Sequence, residues 1–239
     1  MIKLYTFSPV FGLPDPSPFV TKVDLYLKLT GIEYEKISGF NNLQKAPKSK
    51  LPFIEDNGKL IADSTFIIDH LKKEHQADLD AWLTNEQAAI SQLITKSLDE
   101  NFYWLVVYSR WVRDDVWPIM EKELFAKMPF PLKIIAPKVA RSGVKKKIKA
   151  HGIGLHSDSE MMKIADDSLS SLSTLLGDKP YFFGDKPCTL DVTAFAMISG
   201  LTLVDLKTPM QELALKHLTL VDYTQRICKE YYPEFAIDF

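Results

Sequence analysis

The feature that most constrains this chain is Asp56-Asn57-Gly58, set between the apolar runs Pro52–Glu55 and Lys59–Ala62. Asn-Gly accepts positive φ at both central positions of a tight turn, so the two runs are predicted to be antiparallel strands of one hairpin. Upstream, Ile2–Phe7 has the β-branched and aromatic content of a short buried strand. The Pro- and Gly-rich segment Ser8–Pro16 cannot continue it. From Pro18, the apolar positions Phe19, Val23, Tyr26, Leu27 and Leu29 fall mainly on a helical stripe, and Gly31 stands where a helix C-terminal glycine would. Ile32–Ile37 then alternates apolar and charged residues as a half-buried strand should, before a polar stretch from Ser38 to Lys50. After the hairpin, Phe66, Ile67, His70 and Leu71 line one face of a helix beginning at Ser64. The expected order is β-α-β, a polar connection, then β-β-α, complete by about residue 75.

Beyond His75 the strand signals stop. Helical patterns recur at Thr84–Tyr108, Asp115–Ala126, Ser157–Leu176, Leu190–Leu203 and Met210–Tyr231. The chain therefore reads as an α/β unit, residues 1–76, followed by an all-α unit, residues 84–239. Gln76–Leu83, short and polar around a buried-looking Trp82, reads as a linker between units that pack together. A length of 239 residues at 46% hydrophobic content is enough for two cores. The net charge of −2 gives the molecule as a whole no electrostatic reason to seek nucleic acid or an anionic membrane. Cys188 and Cys228, the only cysteines, make neither a disulfide framework nor a thiolate metal site. Met1–Tyr5 lacks a basic n-region followed by an apolar one. Stretches such as Phe102–Tyr108 are too short to span a bilayer. These features together predict a cytoplasmic protein.

Three elements could carry chemistry. Ser17-Pro18-Phe19 sits at the junction from loop to first helix, where unpaired backbone N–H groups and the helix dipole stabilise an anion. Ser17 can donate a hydrogen bond to a thiolate there, or simply cap the helix. Lys50-Leu51-Pro52 opens a strand with a proline. A cis Leu51–Pro52 bond would aim the Leu51 backbone groups at the same junction, whereas a trans proline would be an ordinary strand edge. Asp63-Ser64 opens the second long helix. Its polar groups offer a carboxylate pocket at the helix N-terminus and an acidic partner for an ammonium, or again a cap.

In this order the three elements resemble the glutathione-transferase superfamily. In that superfamily a thioredoxin-like domain binds glutathione through a residue at the first helix N-terminus, a Leu/Val–cis-Pro pair, and an acidic residue followed by Ser. Ser17 stands where glutaredoxin-like members have the first Cys of C-P-x-C-x-K-V, and Val20 replaces the second. No cysteine remains to form or resolve a mixed disulfide, so a serine-type conjugation chemistry is what the resemblance leaves. Ser-Pro-Phe with Lys22, the segment Lys149–Ser157, and Gly184–Asp191 are similar to the failed-axon-connections and metaxin-like branch. The resemblance implies Ser17 as the activating residue, Lys50, Leu51, Pro52, Asp63 and Ser64 as the glutathione contacts, and a small electrophile as second substrate. It also implies a homodimer, while charge, apolar run length and the lack of clustered ligands lead to the expectation of no nucleic acid, no membrane span and no metal. Within the superfamily a Ser or Thr three residues before a helix Asp closes a capping box. Here Cys188 precedes Asp191, which should weaken the cap and leave Thr189 as a substitute.

The aromatic-rich stretch Asn101–Trp117 should border the cleft between the two units by the same likeness. Aromatic stripes also build cores. Tyr108 and Trp111 are the expected substrate contacts. Tyr5, ending the first strand, is the thiolate donor of tyrosine-type members. The basic run Lys138–His151 is either a solvated helix face or a contact for phosphates or anionic lipid heads. His151 and His156 have no carboxylate or thiol partner nearby in sequence, so no metal is expected there. Against the enzyme stands a non-catalytic scaffold for protein association, as the likeness to metaxins implies. Ser8–Pro16 would then cover the glutathione site or offer a partner surface.

Overall fold

The computed structural model describes residues 1–126 and 128–236. Four strands, β1 (Ile2–Thr6), β2 (Tyr34–Ser38), β3 (Phe53–Asp56) and β4 (Lys59–Ala62), form one sheet in the order β2-β1-β3-β4. β1 and β2 are parallel, joined through helix α1 (Pro18–Thr30), while β3 pairs antiparallel with both β1 and β4. The Asn57-Gly58 turn has positive φ at both residues, as the hairpin requires. Gly31, in the left-handed region, ends α1 and returns its N–H to Leu27 and Lys28. A single turn, α2 (Asn42–Lys45), interrupts the polar connection, and α3 (Ser64–His75) closes the unit.

The remainder is helical: α4 (Asn85–Ser97), α5 (Tyr103–Val107), α6 (Trp117–Phe125), α7 (Leu132–His151), α8 (Asp158–Leu176), α9 (Thr189–Thr202), α10 (Pro209–Ala214) and α11 (Leu218–Tyr231). Every residue of α9 after Thr189 is buried, which is why its sequence is apolar on all sides. α9 packs against α1, so one core runs through both halves of the chain.

The pattern from Thr84 to Tyr108 is not one α-helix. Leu98–Phe102 and Tyr108–Val112 are π-helical turns on either side of α5. The expected helix Met210–Tyr231 is two helices, broken at Leu215–His217. Helix α7 was legible only as a basic run, because Pro137 and Gly143 interrupt it and its apolar residues lie on opposite faces. Between α3 and α4, Asp80 accepts from the Thr189 backbone and hydroxyl at 2.7 Å each, and Tyr26 donates to the Ala77 carbonyl. Trp82, by contrast, stays 36% exposed and only its indole N–H is held, by Pro187.

The cap of α9 also departs from expectation. Asp191 accepts from the Cys188 backbone N–H at 2.9 Å and from its thiol at 3.1 Å, so the carboxylate closes the helix start without a hydroxyl. Thr189 is no substitute, since its hydroxyl belongs to Asp80. Among the described residues no helix is long and apolar enough to cross a membrane.

Candidate functional site

The sheet register brings the three sequence elements to one end of the sheet. Tyr5, Phe53 and Ala62 lie side by side across β1, β3 and β4. The next row therefore consists of Thr6, Pro52 and Asp63, and the chain leaves the sheet from all three. α1 runs back from the end of β1, so its N-terminus and Ser17 stand above this same edge.

Ser17 occupies the cap position of α1 with extended backbone, φ −94° and ψ 117°, yet its side chain makes no capping hydrogen bond. Its backbone is fixed from below. Asp15 accepts from the Ser17 N–H at 2.8 Å through one oxygen and from the Phe7 N–H at 2.9 Å through the other. This buried carboxylate ties the exit of β1 to the entry of α1, and burial pushes its pKa up to about 8. Phe19, the second residue of the helix, packs on Tyr103 with ring centroids 4.8 Å apart.

The Leu51–Pro52 bond is cis. Lys50 beside it is exposed. Asp63 caps α3 by accepting from the Thr65 N–H at 3.0 Å, and Lys48 approaches its other oxygen at 3.7 Å. Its backbone has φ +86° and ψ 126°, an arrangement that costs a residue with a Cβ about 1–3 kcal/mol. Ser64 behind it is buried.

The substrate contacts expected from sequence, Tyr108 and Trp111, make these contacts. Tyr108 is buried and its hydroxyl donates to Asp158, and that burial together with Asp158 pushes its pKa up to about 12. Trp111 stacks toward Trp117 at 5.6 Å. The aromatic that meets α1 is Tyr103, followed by Trp104 at 5.4 Å and His151 at 5.1 Å from Trp104. The π turn at Leu98–Phe102 inserts an extra residue per turn and shifts the phase of everything after it, which no 3.6-residue reading anticipates. Tyr5 is stacked on Phe53 and donates to Glu55 at 3.0 Å. Burial first, and then Glu55, raise its pKa, the wrong direction for activating a thiol at neutral pH.

Ser8–Pro16 does not hang over the edge. Phe11 and Leu13 enter the core, the Phe11 carbonyl accepts from Asp205 at 2.8 Å, and the Pro16 carbonyl accepts from buried Arg110 at 3.0 Å. Arg110 also donates to the Gly200 carbonyl at 2.6 Å, joining the loop to α9.

A cluster that sequence reading missed lies at the far end of the hairpin. His70 and His75 on α3 each place Nε2 2.8 Å from the same oxygen of Asp56. Burial opposes ionisation of Asp56, but the hydrogen bonds from His75 and His70 hold its pKa below the ordinary carboxylate value. The three offer metal-ligand atoms within 4.8 Å of one another, the one such group among the described residues. Asp56 pairs with Lys59 at the opposite end of β3 from Pro52, so the cluster is not part of the edge that holds Ser17. Only its sequence neighbourhood could have flagged it: two histidines five apart on a helix that follows a hairpin carrying an aspartate.

This arrangement is that of the glutathione S-transferase fold. The family model of the glutathione S-transferase N-terminal domain matches residues 18–116, and that of the glutathione S-transferase C-terminal domain matches residues 165–227. The isoprene-epoxide–glutathione S-transferase of Rhodococcus sp. (strain AD45) is 31% identical over 97% of this chain and 99% of its own length. A solved glutathione S-transferase of Methylobacterium radiotolerans, in complex with glutathione sulfonate, superposes with a TM-score of 0.61 at 17% identity, covering 98% of this chain and 94% of that one. That likeness concerns the fold alone.

The chain belongs to the glutathione S-transferase superfamily and falls in its metaxin-like branch. Failed axon connections of Drosophila melanogaster is 35% identical over 98% of this chain, and metaxin-1 of Macaca fascicularis 27% identical over 97%. The chain spans 59% of the length of the first of these relatives and 75% of the second.

Proposed function

We propose that this protein is a serine-type glutathione transferase. Glutathione lies along the sheet edge, its backbone held by Leu51 beside Pro52, its γ-glutamyl carboxylate at the start of α3 near Ser64, and its ammonium on Asp63. Lys50 flanks the same segment. The strained Asp63 backbone supports this reading, because such geometry persists where a side chain must point at a ligand.

The observation that carries the proposal is the Ser17 hydroxyl, uncommitted to capping at the N-terminus of α1 while Asp15 holds its backbone still. A thiol of ordinary pKa near 8.5 is only a few per cent ionised at pH 7. A hydroxyl donor and the helix dipole together stabilise the thiolate. The thiolate then attacks a small electrophile such as an epoxide: the sulfur–carbon bond forms, a carbon–oxygen bond breaks, and the alkoxide takes a proton from water. Tyr103 and Trp104 are better placed than Tyr108 and Trp111 to wall the electrophile. In this reading residues 1–76 bind glutathione and residues 84–239 supply the second-substrate wall. A homodimer through β4, α3 and α4 would cover the exposed Leu60, Phe66, Ile90 and Leu93. Two free, buried cysteines fit the cytoplasm.

The test is Ser17→Ala, assayed by calorimetric titration with glutathione and by turnover of isoprene epoxide. Retained affinity with turnover reduced at least tenfold is expected; full turnover would make Ser17 structural. A second reading, a scaffold for protein association, rests on the 35% identity to Failed axon connections over nearly the whole chain. Absence of glutathione binding in the parent protein and in Asp63→Ala alike would favour it.

A further inference from the structure

Helix α7 carries a pattern that the glutathione site does not use. Between Glu123 and Asp158 lie eight of the chain's 29 Lys and Arg and none of its 31 Asp and Glu. The helix packs inward through Pro137 and Ile148 and turns its other side to solvent. At 100° per residue, Leu132, Ile135, Val139, Ser142 and Lys146 fall within about 80° of one another. Lys138, Lys145 and Lys149 flank that stripe. In its first two turns Leu132, Ile135 and Val139 are exposed, Val139 at 65%, and Phe130 stands just ahead of the helix at 74%. Its later turns are basic.

The basic half faces Trp117 across a groove of about 530 Å3 whose walls include Lys138, Arg141, Lys145, Lys146 and Lys149. Arg141 is committed: it donates to the Trp111, Val112 and Arg113 carbonyls and to Asp114. Lys145 lies 3.5 Å from the same carboxylate, and Glu121 stands at the groove wall. Lys138, Lys146 and Lys149 meet no carboxylate among the described residues. These three cations are free for an external anion.

Two occupants can be weighed on this chemistry. A nucleic acid would use the cations but gain nothing from four exposed aliphatic and aromatic side chains at one end of the same face. An anionic bilayer uses both, since apolar side chains enter the boundary between headgroups and acyl chains while lysines remain at the level of the phosphates. We propose that α7 docks the protein on an anionic lipid surface. Phe130, Leu132, Ile135 and Val139 insert, and Lys138, Lys146 and Lys149 meet lipid phosphates. The surface is separate from the sheet edge and stands whether or not the protein conjugates glutathione.

The experiment is co-sedimentation of the full chain with phosphatidylcholine vesicles and with vesicles containing about 30% phosphatidylserine, at low and at physiological salt. Binding to the anionic vesicles alone, weakened by salt, is expected. Lys138→Gln/Lys146→Gln/Lys149→Gln should lower the partition coefficient about 100-fold, roughly fivefold per lysine. Leu132→Asp/Val139→Asp should abolish binding even at low salt. All the substituted residues are exposed, and unchanged circular dichroism and thermal midpoints check that the fold is kept. Equal binding to neutral vesicles, no binding to either, or parent-like binding by the triple-lysine variant would overturn the proposal. So would capture of a DNA duplex by a chain that ignores anionic vesicles.

Discussion

Lys22 and Asp99 form an ion pair that joins α1 to the π turn before α5, and it sits almost wholly out of water. The side chains are 1% and 5% exposed, and Nζ lies 2.8 and 3.1 Å from the two carboxylate oxygens. At 2.8 Å the Coulomb attraction is about 6 kcal/mol for an effective dielectric near 20, and the desolvation of both ions consumes several kcal/mol each. The net worth of the pair is therefore small, while the cost of breaking it is large. Lys22→Met keeps the stem and strands the Asp99 carboxylate, with an expected loss of about 3–5 kcal/mol. In urea unfolding followed by circular dichroism this lowers the midpoint by about 1–2 M. Asp99→Leu strands the ammonium instead. Burial already pulls the Lys22 pKa down and Asp99 opposes that pull, so without Asp99 the folded pKa drops further. The unfolded chain then binds more protons than the folded one, and stability should rise as pH approaches the ordinary lysine value. The double variant Lys22→Met/Asp99→Leu should fall within about 1–2 kcal/mol of the parent, far from the sum of the single losses. A midpoint for Lys22→Met within experimental error of the parent, or a double variant as unstable as that sum, would refute the reasoning. Because Ser17 lies five residues before Lys22 on the same chain segment, the single variants should also weaken glutathione binding.

Other consequences can be measured alongside. Asp15 has a folded pKa of about 8 against an ordinary value of 3.8, so its contribution to stability is greatest at low pH and is lost as pH rises through about 8. Urea stability should fall between pH 6 and 8 by up to about 1.4 kcal/mol per unit, a slope that Asp15→Asn removes; an unchanged slope would show that Asp15 does not titrate in this range. Asp191→Ala unpairs the Cys188 and Phe182 N–H groups while the Tyr223 hydroxyl keeps its bond to the Asp191 carbonyl, and thermal unfolding should register a loss of about 2–4 kcal/mol. Arg110→Met frees the Pro16 and Gly200 carbonyls and should cost about 2–4 kcal/mol, with loosening of Ser8–Pro16 visible in hydrogen exchange at Asp205. If the chain dimerises through β4, α3 and α4, Phe66→Glu/Leu93→Glu should elute as a monomer in size-exclusion chromatography with light scattering.

The sequence determined what local rules govern. Asn57-Gly58 could only be a tight turn, Gly31 could only end a helix cheaply, and the patterns after His75 could only be helices. From these follow the order of elements along the first unit and the helical character of the second. They also place Ser17, Leu51-Pro52 and Asp63-Ser64 at the ends of elements, where backbone groups are free to bind a ligand. Tertiary structure decided what depends on residues far apart in the chain. The Lys22–Asp99 pair spans 77 positions, and Arg110 reaches 94 positions back to Pro16, so no window of sequence contains either contact. The π turn at Leu98–Phe102 shifts the phase of the helix that follows it, and Tyr103 meets Phe19 near the start of α1. The Asp56, His70 and His75 cluster exists because the hairpin turn is folded back onto α3. Helix α7 escaped the periodic reading because its apolar residues face both the core and solvent. Periodicity records only the side a helix buries, and what its exposed side is for is set by the surface that meets it.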